Sequence, residues 1–320
     1  MLYPISHKLS VAPMLHRTDR WFRYCARLLT TQTLLYTEMI HTGALLHGDI
    51  EHLLYFDPIE SPLALQLGGN NPESLAKCAK MVAAWGYSAI NLNIGCPSPR
   101  VQMGEFGACL MRRPELVAEC VAAMQEEVTI PITVKHRIGI DNQDSYDDLV
   151  RFINVVNQAG CSTFIIHARK AWLEGLNPKQ NRTIPPLNYD MVHAIKRDFP
   201  SLNIILNGGI KDLDTVRQQL NHVDGVMIGR AAYEDLWLLS KVDHLIFNKP
   251  ESHMTRIDFI DQLTPWIERE VRNGTPITCI TRHLMGLFRG QSRGRLWRRY
   301  LTEKAHLSWA DAKILQDAMK

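Results

Sequence analysis

This chain of 320 residues contains no Gly-x-Gly pair, so it lacks the fingerprint with which a doubly wound sheet grips a dinucleotide. Its seven cysteines are an odd number with no C-x-x-C spacing, which argues against a disulfide framework and against a zinc site. No apolar run approaches the roughly 18 residues of a membrane span. Met1-Leu2-Tyr3-Pro4 shows no basic segment followed by an apolar one, so no secretory leader is read there. Repeats and low-complexity tracts are missing as well. These absences predict a reduced, cytoplasmic protein with no metal and no membrane anchor; a monomer is expected.

What remains is enough for a large core. With 46% hydrophobic and 22% charged residues, the chain is not disordered. The net charge of +3 is unevenly spread. Residues 251–320 hold 12 Lys/Arg against 8 Asp/Glu, while the first 250 hold 24 against 25. Between Arg282 and Lys304, seven cations face the single acid Glu303. A basic patch on a neutral body suits a polyanionic partner, although a solvated helix face has the same composition.

Eight short aliphatic runs recur over the first 230 residues: Leu9 to Ala12, Leu34 to Glu38, Leu63 to Leu67, Ala89 to Asn93, Ile132 to Lys135, Thr163 to His167, Asn203 to Asn207 and Gly225 to Ile228. Such near-continuous apolar strands fit a parallel sheet covered on both faces. Helices are read between them, as at Pro72 to Trp85 after Asn71, Pro114 to Glu127, and Asp147 to Ala159. The alternation predicts an α/β fold, a (β/α)8 TIM barrel over residues 1–242. A small all-helical unit is expected over 243–320, with helices at Arg256 to Asn273, Ile277 to Leu287, Trp297 to His306, and Ser308 to Met319 capped by Ser308.

A barrel of this kind places its chemistry at the C-terminal strand ends. Those positions read Pro13-Met14, Glu38, Gln66, Asn93 with Cys96, Lys135 with Arg137, His167 with Arg169, Asn207-Gly208-Gly209 and Gly229-Arg230. Paired carboxylates for glycoside hydrolysis are missing, and so are carboxylate–histidine metal clusters. The run Asn91-Leu92-Asn93-Ile94-Gly95-Cys96-Pro97 presents a thiol in a turn at a strand end, although free cysteines are commonly small buried hydrophobes. Gly208-Gly209 and Gly229-Arg230 stand where barrels bind phosphate, or they simply make tight turns. Lys135 suits a Schiff base, a surface cation or a flavin contact, and His167 is equally a core histidine. Taken jointly, the amides and cations suit a planar electron-accepting heterocycle with a phosphate: flavin mononucleotide.

The chain resembles the tRNA-dihydrouridine synthases, A subfamily, over essentially its whole length. The resemblance runs through Ser10-Val11-Ala12-Pro13-Met14, Leu34 to Met39, Leu65 to Gly69, Asn91 to Pro97, Phe164 to Trp172, Asn207 to Ile210 and Trp297 to Tyr300. It implies FMN-dependent reduction of uridine to dihydrouridine in the tRNA D-loop, at U20 and U20a, with electrons from NADPH. By position it implies Cys96 as catalytic acid. Pro13, Met14, Leu15, Gln66, Lys135, His167, Asn207, Gly208, Gly209, Gly229 and Arg230 would hold FMN, and Asn93, Lys179, Arg182, Arg295 and Arg298 would touch tRNA. Leu15-His16-Arg17 and His136 depart from the usual pattern, and both are expected near the flavin or substrate. Three rivals stand beside this reading: a flavin barrel for free pyrimidines or enoates, an RNA-binding module on an inert barrel, and an aldolase-like enzyme using Lys135 alone.

Overall fold

The computed structural model describes residues 5–319. Met1 to Pro4, read above for a leader, lie outside the described residues. All eight apolar runs are strands: β1 Leu9–Val11, β2 Leu35–His41, β3 Leu63–Gly68, β4 Ala89–Ile94, β5 Ile132–Arg137, β6 Thr163–His167, β7 Asn203–Asn207 and β8 Gly225–Ile228. Each pairs in parallel with its sequence neighbour, and β1 pairs with β8. A parallel bridge between Ser10 and Leu34 joins β1 to the start of β2 and closes the barrel.

Because side chains alternate along a strand, each strand feeds two cores. The faces turned outward pack with the helices into the main hydrophobic cluster, which includes Leu9, Leu65, Leu92, Val134, Phe164 and Ile204. The inward faces make a separate small plug of Ala12, Leu34, Tyr36, Ala64, Ala89, Ile165, Ile205 and Met227. Two residues further along β3, β4, β6 and β7 the inward positions turn polar, at Gln66, Asn91, His167 and Asn207, and β5 adds Thr133 beside Asn91. The barrel is therefore sealed with hydrocarbon below and opens into a polar mouth above.

Helix starts follow their caps. Asn71 accepts from the Ser74 N–H to open the helix Pro72–Ala84, and Ser145 forms a capping box with Asp148 to open Tyr146–Gln158. The tail contains helices Arg256–Arg272, Thr278–Leu284 and Gly294–Lys304. The expected long last helix is absent: helix occurs only at Ile314–Asp317, and Ser308 caps nothing. Asp311 instead accepts from the Lys313 N–H at 2.9 Å, an Asx turn that competes with helix.

The tail packs on the helix Arg20–Leu29. Tyr24 stacks on Trp266 with ring centroids 3.9 Å apart, and Glu270 accepts from Arg20 at 2.9 Å and Trp21 at 3.3 Å. Asp19, which caps that barrel helix through the Phe22 N–H, also pairs with Arg282 and with His283 at 2.9 Å. Arg282, counted above in the basic patch, is thus spent on holding the tail to the barrel.

Candidate active site

Cys96 sits just beyond β4 in a turn fixed from three sides. Asn93 Oδ1 accepts from the N–H groups of Gly95 at 3.1 Å and Cys96 at 3.0 Å. The Cys96 carbonyl accepts from Ala108 N at 2.9 Å. Arg137 donates its Nε to the Gly95 carbonyl at 2.9 Å, and its Nη1 reaches the carbonyls of Lys170 and Asn181. Gly107 must be glycine here: it has φ +74°, and a Cβ would stand 2.7 Å from the Cys96 oxygen. Cys25, Cys78, Cys120 and Cys161, by contrast, lie in the core, where burial raises their thiols above the ordinary range. Cys96 is half-buried, near enough to Lys135, Arg137 and Arg182 for each to feel its charge.

A chain of side-chain hydrogen bonds links the neighbouring strands β3, β4 and β5. Asn93 Nδ2 donates to Gln66 Oε1 at 2.8 Å, Gln66 Nε2 donates to Asn91 Oδ1 at 2.7 Å, and Asn91 Nδ2 donates to Thr133 Oγ1 at 2.9 Å. The chain fixes which way each amide points, and Gln66 and Asn93 each keep one N–H to offer upward. Asn91 and Arg137 do this positioning work; the sequence reading placed Arg137 at a strand end and Asn91 in the cysteine motif, but gave neither of them a role. The inward period of β4 was the available signal for Asn91.

Lys135 donates to Asn207 Oδ1 at 3.0 Å, and Asn207 Nδ2 donates to the Met227 carbonyl at 2.8 Å. Burial, aided by Arg137, brings the Lys135 ammonium down to about 7, an effect that Cys96 opposes. His167 is held well below its usual range by burial and by Arg137, Lys135, Arg169 and Arg182, so it is neutral. The cost of Lys135 has a definite sign. Between about pH 7 and the ordinary lysine value of about 10.4, the unfolded chain holds a proton that the folded one lacks, so stability of the flavin-free protein rises with pH in that window. Denaturant titrations at both ends of the window should show Lys135→Met flattening this rise; an unchanged slope would place the ammonium in solvent.

The ends of β7 and β8 make an anion cradle. Gly208 and Gly209 adopt φ +116° and +74°, and a Cβ on Gly209 would meet Leu187 at 2.4 Å and the Tyr189 hydroxyl at 3.0 Å. Tyr189 donates to the Gly208 carbonyl at 2.6 Å, fixing the turn. Among the described residues, the backbone N–H groups of Gly208, Gly209, Gly229 and Arg230 have no acceptor. Arg169 stands nearby with a buried Nε lacking a partner, and it and Arg230 repel one another. Converging backbone donors without acceptors, beside a buried guanidinium N–H and among like charges, fit a bound phosphate.

The family-model comparison matches residues 10–320 to the dihydrouridine synthase model. The chain belongs to the dihydrouridine synthase family. It is 55% identical over 312 residues to the tRNA-dihydrouridine(20/20a) synthase of Synechocystis sp., covering 98% of this chain and 93% of that protein. The Shewanella oneidensis protein of the same name is 54% identical with the same coverage. That of Escherichia coli K12 is 54% identical over 316 residues, covering 98% of this chain and 91% of that one. Among solved structures, a 2-naphthoyl-CoA reductase complex aligns with TM-score 0.56 at 10% identity, over 73% of this chain and 49% of that one, which shows the barrel fold alone.

Pro13 and Met14 follow β1 at the mouth, whereas Leu15 is 63% exposed. Lys179 and Arg182 are exposed on the loop after β6; Asn181 between them is fully buried, holding Trp172 and Leu176 by side-chain bonds. His136 corrects an expectation. It points away from the mouth, with its ring 4.9 Å from Phe152, and burial lowers it to about 4. The two-residue strand period that turns Lys135 and Arg137 inward turns His136 out. In the tail, Arg289 pairs with Glu234 at 3.2 Å and Arg293 donates to the Met319 carbonyl at 2.7 Å. Arg295, Arg298 and Arg299 are exposed without an acidic partner among the described residues. No helix among those residues is long and apolar enough to cross a membrane.

Proposed function

We propose that this dihydrouridine synthase reduces the C5=C6 bond of uridines 20 and 20a in the tRNA D-loop, in the cytoplasm, with FMN bound and NADPH supplying the electrons. The relatives named tRNA-dihydrouridine(20/20a) synthases support the choice of positions. One observation carries the reading for this chain: the Cys96 turn opens on the same mouth as four unpartnered backbone amides and a ring of fixed amides and cations. Gly208, Gly209, Gly229 and Arg230 would take the FMN phosphate. Lys135, Gln66, His167 and Asn207 would meet the ring edge, with Pro13, Met14 and Leu15 along the β1 side.

When bound, the flavin supplies a hydride to C6 of the base. The chain's own task is the proton at C5. Cys96 Sγ releases it, since a thiol gives up and recovers a proton readily near neutral pH. The thiolate left behind faces Lys135, Arg137 and Arg182, which all feel its charge, and solvent returns the proton. Asn93 keeps one N–H for a uracil carbonyl. Arg137, by tying the Cys96 turn to the loop after β6, holds the acid in place.

The base must leave its stack to enter the mouth, at a cost of a few kcal/mol. We assign residues 243–320 to binding the RNA that supplies it, through Arg295 and Arg298 with Lys179 on the barrel side. Reversing both arginines to glutamate should weaken tRNA binding by at least about tenfold at low salt, with flavin content unchanged. A filter-binding titration over a range of salt checks this; parent-like affinity would move the RNA to another face.

A further inference from the structure

Two arginines at the mouth, Arg17 and Arg182, are left without an acid. Arg182 belongs to the loop after β6, and its carbonyl accepts from Arg230 Nη2 at 3.3 Å. Arg17 comes from the turn after β1. That turn is pinned: Met14 N donates to Thr18 Oγ1 at 2.9 Å, and the N–H groups of Arg17 and Thr18 both donate to the Met14 carbonyl at 3.0 Å. At its apex His16 takes φ +60° and donates its N–H to Glu38, whose strand carries a register shift between Tyr36 and Met39. Glu38, the carboxylate among the strand-end residues named above, is thereby spent on backbone. The Arg17 guanidinium lies over the Tyr233 ring, 4.7 Å from its centroid.

Neither Arg17 nor Arg182 has a carboxylate partner among the described residues. Partial burial of its guanidinium within an otherwise exposed residue, and then Arg230 and Arg17, hold Arg182 below its usual range. Cations gathered this way repel unless an anion joins them. The position of Arg17 says which anion. The same Tyr233 ring packs edge-on against His283 of the tail helix Thr278–Leu284, with centroids 5.6 Å apart. Arg17 therefore stands where the tail meets the barrel mouth, one ring away from the tail helix. Two residues before it, Leu15 is exposed.

We propose that Arg17 binds a backbone phosphodiester of the tRNA next to the nucleotide entering the mouth, with Tyr233 holding its guanidinium in place and Arg182 as a second donor. The inference rests on the tRNA reading above. A phosphate of the nicotinamide cofactor has the same chemistry and is the alternative occupant. Fluorescence anisotropy with unmodified tRNA, from about 50 to about 200 mM salt, separates the two. Arg17→Gln should weaken binding about tenfold at low salt and reduce the slope of log affinity against log salt by about 0.7 to 0.9, the share of one phosphate contact. Arg17→Lys should recover the slope. A parent-like slope in Arg17→Gln overturns the proposal. So does a raised KM for NADPH in flavin reduction with tRNA binding unaltered. Failure of the parent protein to bind tRNA at all strikes the tRNA reading itself, and is told apart because no variant is needed to see it.

Discussion

Cys96→Ala should lose dihydrouridine formation by about 10² to 10⁴ in rate, the range that a positioned general acid contributes, while NADPH still reduces its flavin. The two half-reactions separate because the turn does not depend on the thiol. Asn93, Ala108 and Arg137 hold its backbone, so alanine removes only the sulfur. Cys96→Ser tests acidity against shape, since a hydroxyl fits the space but gives up a proton far less readily; it should track alanine. Stopped-flow traces of flavin reduction, set beside dihydrouridine counts by mass spectrometry, decide it. Full tRNA turnover in either variant would remove Cys96 from the chemistry.

Gly209→Val should yield folded protein that purifies without flavin. A β-branched residue at φ +74° is strained by about 1 to 3 kcal/mol, and its Cβ would sit 2.4 Å from Leu187 Cδ1 and 3.0 Å from the Tyr189 hydroxyl. Leu187 can yield, but the turn cannot keep its amides converged while it does. The damage is local, because Gly209 lies beyond the end of β7 and outside both hydrophobic cores. Flavin absorbance per mole of protein, with circular dichroism as the check on fold, reads the outcome. Retention of flavin at parental stoichiometry would mean that the phosphate is held elsewhere.

These expectations show where the sequence was readable. Strands β6, β7 and β8 begin and end where their runs were read, because a parallel strand covered on both faces keeps an unbroken apolar middle between its polar or glycine ends. The mouth was legible for a related reason: polar residues at strand ends in an otherwise apolar barrel have few other roles. His136 was misjudged by proximity in sequence, although the strand period already turned it outward. Arg282 was counted as a free cation because its partner Asp19 lies 263 residues away, and no local pattern announces such a pair. Arg137 and Asn181 hold loops through backbone carbonyls, a role any polar residue could fill on paper and only the fold reveals. The last helix failed because Asp311 bonds its own neighbourhood.

The central claim, that a bound flavin and Cys96 together reduce a tRNA uridine, is tested most directly by one turnover without NADPH. The flavin-loaded protein is reduced, freed of excess reductant and mixed anaerobically with unmodified tRNA. The account predicts one dihydrouridine, at position 20 or 20a, for each flavin reoxidised. Flavin that stays reduced in the presence of that tRNA, or that is reoxidised equally well by a free pyrimidine, would contradict it.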